Sequence, residues 1–155
     1  MEINVEIDKI FAGCIKSKLL KNTIEHVLTA QDAGREAEVS LLITGQRRIH
    51  ELNKEYLDED RPTDVLSFPM LEQSEKAGFV IAPDGKKHLG EIIISYPQAV
   101  LQAEEHRHPV EKEITTLLVH GLLHLLGYDH AEASETKEMQ AKEKEILGLL
   151  EKAPV

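Results

Sequence analysis

The chain has 155 residues, 41% of them hydrophobic and 30% charged, with 18 Lys and Arg against 28 Asp and Glu for a formal net charge of −10. That is room for a single domain, 1–155, with a core of its own, in the ordinary composition range of a globular protein. The acidic balance argues against broad nucleic-acid affinity, which depends on Lys and Arg neutralising phosphates, yet it leaves space for a local basic patch.

The first segment, Met1 to Asp8, alternates Ile3, Val5 and Ile7 with polar residues and reads as a half-buried strand. It has acids where a secretory leader needs basic residues, and the chain has no apolar run of membrane-span length, so a cytoplasmic protein without a membrane partner is expected. From about Ala12 to Gln31, Ile15, Leu19, Leu20, Ile24, Val27 and Leu28 recur at helical spacing, with Gly34 as the stop. Cys14, the only cysteine, falls early in that pattern and is expected to be a small buried hydrophobe. A lone cysteine forms no intramolecular disulfide, which suits a reducing compartment. Val39 to Thr44 is a second strand, and Gln46 to Leu57 a second helix. The acidic turn Asp58 to Thr63 leads to a short strand, Val65 to Phe68, closed by Pro69. Met70 to His88 is mixed and carries Asp84-Gly85, the mark of a loop or hairpin. Leu89 to Ile94 is a fourth strand, apolar enough to be central.

Ser95 and Gln98 form a capping-box pattern with Pro97 in the first turn, so a third helix runs to about Glu105. His106-Arg-His-Pro109 breaks it. Glu111 and Glu113 suit the first turn of a fourth helix, which extends to Leu126. Ala131 to Glu151 is a last, charged helix with Glu138 and Lys142 spaced for an i, i+4 pair. The expected fold is α+β: a mixed sheet of about four strands packed with about five helices, one of them buried and carrying the residues discussed next.

Three of the eight histidines fall within eleven residues, His120-Gly-Leu-Leu-His124-Leu-Leu-Gly127-Tyr-Asp-His130. Residues four apart on a helix are neighbours on one face, so His120 and His124 can aim at one point. Gly127 readily takes the left-handed conformation that ends a helix, and the turn can bring His130 back to the same point. Three imidazoles leave one position of a tetrahedral ion open, which is the pattern of a catalytic zinc. Leu117, Leu118, Leu122, Leu123, Leu125 and Leu126 supply apolar bulk around it.

This is the histidine spacing of the metzincin peptidases, in which a glutamate general base follows the first histidine. Here that position is Gly121, which transfers no proton, and the peptidase reading weakens accordingly. A three-histidine zinc can still acidify a water and polarise a phosphoryl or carbonyl oxygen. Arg61 and Asp64, at the entry to the short strand, form a second constellation. An arginine near such a metal could clamp a phosphate and stabilise charge developing on it. The bland reading is a surface ion pair of Arg61 with Asp58, Asp60 or Asp64.

Three stretches, Arg61-Pro-Thr-Asp-Val-Leu-Ser-Phe-Pro69, Leu89-Gly-Glu-Ile-Ile-Ile-Ser95 and the histidine run itself, together resemble the signature segments of the YbeY family of bacterial single-domain endoribonucleases, over essentially the whole chain. The resemblance implies one zinc ion held by His120, His124 and His130, with Arg61 required for RNA cleavage. It implies action on the 3′ end of the 16S rRNA of the small ribosomal subunit and in ribosome quality control. It also implies ribosomal proteins and an assembly GTPase as partners; no DNA partner is expected. Glu91 departs from the family, which usually has aspartate after the glycine. Asp129, and less strongly Asp64, could orient a histidine ligand or a water, or could simply cap a turn. Hydrolysis by an activated water and attack by the RNA's own 2′-OH are equally compatible with these residues. Two other classes stay open: a metallopeptidase-like hydrolase, and a non-catalytic ribosome assembly factor with a stabilising zinc. Lys and Arg at 47, 48, 54, 86, 87 and 107 could form an RNA-binding patch or be scattered solvated charges.

Overall fold

The computed structural model describes residues 1–70, 85–128 and 133–152. Four strands, β1 (Glu2–Ile7), β2 (Ala37–Thr44), β3 (Val65–Pro69) and β4 (Lys87–Ser95), form one sheet in the order β1-β2-β4-β3. The β1–β2 and β2–β4 pairings are parallel and β3–β4 is antiparallel, so the sheet is mixed. The most apolar strands, β2 and β4, take the centre of the sheet. Five helices complete the α+β fold: α1 (Ser17–Ala30), α2 (Gln46–Leu57), α3 (Tyr96–His106), α4 (Val110–Leu125) and α5 (Ala133–Lys152).

The main core lies on one sheet face. Ile92 and Ile94 of β4 and Leu41 and Ile43 of β2 meet Ile24 and Leu28 of α1, Ile114, Leu118 and Leu122 of α4, and Met139 and Ile146 of α5. Each such side chain, removed from water, contributes about 1.5–3 kcal/mol. The residues of β2 and β4 that alternate to the other face, Leu42 and Ile93, pack with Ile49, Leu52, Leu66 and Phe68 beneath α2. The part of that face left uncovered is a groove of about 450 Å³, with Ser40, Arg48 and Glu91 on its walls.

Two glycines bring α4 against the sheet. At Gly121 a Cβ would stand 3.0 Å from Ile92 Cγ2 and 3.1 Å from Ser67 Oγ, and the Ser67 hydroxyl donates to the Gly121 carbonyl at 3.4 Å. At Gly90, φ is +139° and a Cβ would collide with the Phe68 carbonyl oxygen of β3 and stand 3.0 Å from Leu125 Cδ2 of α4. Leu89 is bulged out of the β2–β4 ladder immediately before it, where the register steps from His88 to Gly90.

Three local expectations are corrected. The first helix starts at Ser17, not near Ala12; a single 3-10 turn (Lys9–Phe11) and further turns precede it. Cys14 therefore stands outside the helix and is exposed, so it is not a core residue. On α5, Lys142 pairs with Glu145 at 3.1 Å, one turn ahead, where pairing with Glu138 was expected. The stretch 71–84, read as a loop or hairpin, lies outside the described residues. No helix among the described residues is long and apolar enough to cross a membrane.

Candidate metal centre

His120 and His124 are one turn apart near the C-terminal end of α4, and their rings face each other edge to face with centroids 4.8 Å apart. The two Nε2 atoms are 3.2 Å apart. Two nitrogens bound to one tetrahedral zinc at about 2.0–2.1 Å would be separated by about 3.3–3.4 Å. The pair is thus already spaced for a shared ion. Behind it, the His120 Nδ1–H donates to the Glu143 carboxylate of α5. That bond fixes the tautomer in which His120 Nε2 carries its lone pair toward the centre.

Helix α4 ends as its glycine dictates. Gly127 has φ +102°, and the Tyr128 amide donates to the Leu123 carbonyl at 3.0 Å, closing the last turn. His130 and Asp129 lie just beyond, outside the described residues. The Tyr128 hydroxyl donates to Gln31 at 3.1 Å, which pins the chain leaving the helix to the end of α1.

Glu143 was missed in the sequence reading, which offered Asp129 and Asp64 as orienting acids. A signal for it exists: Glu143 lies four residues after Met139 and three before Ile146, on the stripe of α5 that enters the core. An acid on an apolar stripe needs a partner, and His120 is that partner. Replacing Glu143 by alanine is expected to weaken metal affinity roughly 10–100-fold, with the fold retained; titration with zinc against a competing chelator checks this.

Arg61 stands three residues before Asp64, at the entry to β3. Its guanidinium pairs with Glu59 through Nη2 at 3.0 Å and Nε at 3.1 Å, in place of the aspartates considered above. At 73% exposure, this ion pair is worth at most about 1 kcal/mol and is easily exchanged for another anion. The backbone around Arg61 is better fixed, since Asn53 Nδ2 donates to the Arg61 carbonyl at 2.8 Å. Asp64 Oδ1 accepts from the Val65 amide at 2.8 Å, and Asp64 Oδ2 accepts from Gln102 Nε2 at 3.2 Å. Its carbonyl accepts from the Ser95 amide at 2.9 Å. These bonds tie the start of β3 to the end of β4 and to α3. The contact of β3 with the histidine helix falls further along the strand, at Ser67 and Gly121. Glu91 is directed away from that helix, into the groove on the opposite face.

The basic residues proposed as a patch are spread over α2, the start of β4 and the turn after α3, and four of the six meet acids or carbonyls. Arg47 pairs with Glu51, Lys54 with Asp60 and Lys86 with Glu2, while Lys87 donates to the Ala33 carbonyl.

A second cluster was not singled out from the sequence. His106 Nδ1 and His108 Nε2 each lie 2.7 Å from Glu113 Oε1, and Gln102 Nε2 donates to Glu113 Oε2 at 3.2 Å. The three residues could hold a metal ion, since their ligand atoms lie within 4.8 Å of one another. Burial pushes the Glu113 carboxyl upward, but the bonds from His106, His108 and Gln102 outweigh it and hold the pKa below the usual glutamate value.

Comparison with known proteins is consistent over nearly the whole chain. The profile of the family described as Endoribonuclease YbeY matches residues 4–151. A protein of Dehalococcoides mccartyi strain BAV1 named Endoribonuclease YbeY is 46% identical over 146 residues, covering 91% of each chain. Proteins of the same name from Roseiflexus castenholzii and Bacillus cereus strain G9842 are 38% and 42% identical, covering 96% and 83% of this chain and 92% and 83% of their own. The solution structure of TM1509 from Thermotoga maritima is similar with a TM-score of 0.61 and 31% identity, over 94% of this chain and 86% of that one.

Proposed function

The chain belongs to the endoribonuclease YbeY family, and on that premise we propose that it is a zinc-dependent, single-strand-specific endoribonuclease acting in 3′-end maturation of 16S rRNA and in ribosome quality control. The observation that carries this reading is the His120–His124 pair, with its Nε2 atoms 3.2 Å apart and Glu143 behind His120. His130 completes the ligand set in this proposal. A zinc ion held there would supply a Lewis acid for a phosphoryl oxygen and would acidify a bound water.

The chain's own residues divide the remaining work. Glu143 holds His120 in one tautomer and orientation. The leucines of α4 limit solvent access to the rings. Arg61 gives up its exposed bond to Glu59 and takes an RNA phosphate bidentately, stabilising charge that builds on it during cleavage. Asp64 acts as a positioning residue: its bonds to the Val65 amide and to Gln102 set the backbone from which Arg61 projects. Asp129 keeps its proposed place as a residue orienting a ligand or a water. The rRNA within the small subunit, with ribosomal proteins and an assembly GTPase, is the proposed setting. Such an assembly could supply the positive surface that a chain of net charge −10 lacks.

The peptidase alternative is disfavoured by a specific observation. Gly121, where a peptidase carries its general base, faces Ile92 and Ser67 of the sheet.

The test is cleavage of an RNA carrying the 3′ precursor end of small-subunit rRNA, by wild type and Arg61→Ala purified identically. The variant should fold normally and lose about 10²–10³-fold in rate, as when one preorganised donor to a transition-state charge is removed. Equal cutting by both proteins, or by neither, would leave Arg61 without a catalytic role and make the non-catalytic assembly factor the reading to test.

A further inference from the structure

We propose that His106, His108 and Glu113 form a second divalent-metal site, for a zinc-class transition ion, that clamps the corner between α3 and α4. It is separate from the His120–His124 centre, because Glu113 is seven residues before His120 on α4, or about 10 Å along the axis at 1.5 Å per residue. It stands independently of the endoribonuclease reading.

The geometry is built by the backbone. Residues two apart on a helix do not face each other. Arg107, between the two histidines, closes α3 in the left-handed conformation at φ +54°, a conformation that non-glycine residues seldom adopt. The chain turns there, so that His106 from the last turn of α3 and His108 from the connection converge on one carboxylate oxygen. The His108 amide bonds to the Ala103 carbonyl at 3.1 Å and fixes the turn.

The donor set suits such an ion. Two imidazoles and one carboxylate are borderline ligands for zinc, cobalt and their neighbours, and they leave positions open for water. The Glu113 side chain is only 3% exposed, and Gln102 occupies its second oxygen, so Oε1 alone is offered to the site. A divalent ion bound there would neutralise the buried Glu113 carboxylate. The His106 side chain is 55% exposed and provides the way in from solvent. The nitrogen–oxygen distances of 2.7 Å are those of hydrogen bonds. Metal binding would displace the two ring protons and spread the ligand atoms to about 3.3 Å through small ring rotations.

The consequence reaches the other end of the network. Gln102 bonds both Glu113 and Asp64, so a fixed carboxylate fixes the entry to β3, three residues from Arg61. The ion would act as a clamp on that entry.

The test is titration of the full-length His120→Ala/His124→Ala variant with cobalt(II), followed by its d–d absorption, so that the first centre is silent. About one equivalent should still bind, with the intense bands of a four- or five-coordinate ion, and the further change His106→Ala or His108→Ala should abolish it. His106 is half exposed, so its removal leaves the fold intact, as circular dichroism should verify. No binding by the double variant, or binding unchanged by both further substitutions, would overturn the site.

Discussion

Replacing Gly121 by glutamate will unfold the chain; it will not endow it with a peptidase's general base. The substitution places a carboxylate one residue after the first histidine, so the linear motif becomes that of a metalloprotease. The three-dimensional context forbids the analogy. Even a Cβ at this position comes within 3.0 Å of Ile92 and 3.1 Å of Ser67. The rest of the side chain would have to enter the sheet or push α4 away from it. Gly121 itself is buried, with Leu122 and Leu118 fully buried beside it on α4. A carboxylate there would be desolvated against Ile92 and Ser67 of the sheet. Steric displacement and an unpaired buried charge are two of the few mechanisms that give very large effects, and together they should remove on the order of 4 kcal/mol or more. Denaturant unfolding of Gly121→Ala and Gly121→Glu side by side checks this. Alanine needs the neighbours to give by only a few tenths of an ångström and should be mildly destabilising, whereas glutamate should leave little folded protein. Well-folded Gly121→Glu would mean that α4 does not lie on the sheet as described.

The second large effect is on activity. His124→Ala should abolish RNA cleavage while leaving a folded protein. The ring of His124 contributes one of the two nitrogens that stand 3.2 Å apart, and His120 without it has no neighbour on its own helix with which to share an ion. Loss of a ligand should exceed the roughly 10–100-fold produced by loss of a supporting hydrogen bond. Single-turnover cleavage together with metal analysis distinguishes this from misfolding, because the variant should have both its rate and its zinc content reduced. A folded His124→Ala protein that cuts at the wild-type rate would remove the histidine pair from the mechanism.

Much of this arrangement can be read in the sequence, and the exceptions have physical causes. Strand β1 is legible because Ile3, Val5 and Ile7 alternate, and β4 because Ile92, Ile93 and Ile94 form an unbroken apolar run. The left-handed turn at Gly127 follows from glycine's freedom there, and the Ser95 cap from its hydroxyl, which accepts from the Gln98 amide at 3.3 Å. What remained hidden depends on distant partners. Glu113 reads as a first-turn acid favoured by the helix dipole. Its burial is decided by His106 and His108, which the same reading treats only as a helix break. Glu143 reads as one more charge on a charged helix until α5 is laid against α4. Arg61 finds Glu59 in preference to the aspartates around it, because a short turn can fold back on itself in several ways that spacing does not separate. Cys14 sits where a helical pattern can be extended backward from Ile15, yet the turns after Phe11 place it in solvent.

Whether a metal at the His120–His124 pair drives cleavage is decided by the metal dependence of cutting on one defined RNA. Wild-type protein would be stripped with a chelator, assayed on the 3′ precursor end of small-subunit rRNA, and assayed again after zinc is returned, with His124→Ala carried in parallel. Cleavage should disappear on stripping, return with zinc in the wild type, and never appear in the variant. Cleavage that survives stripping, or that is equal in wild type and His124→Ala, would contradict a metal-driven reaction at the pair.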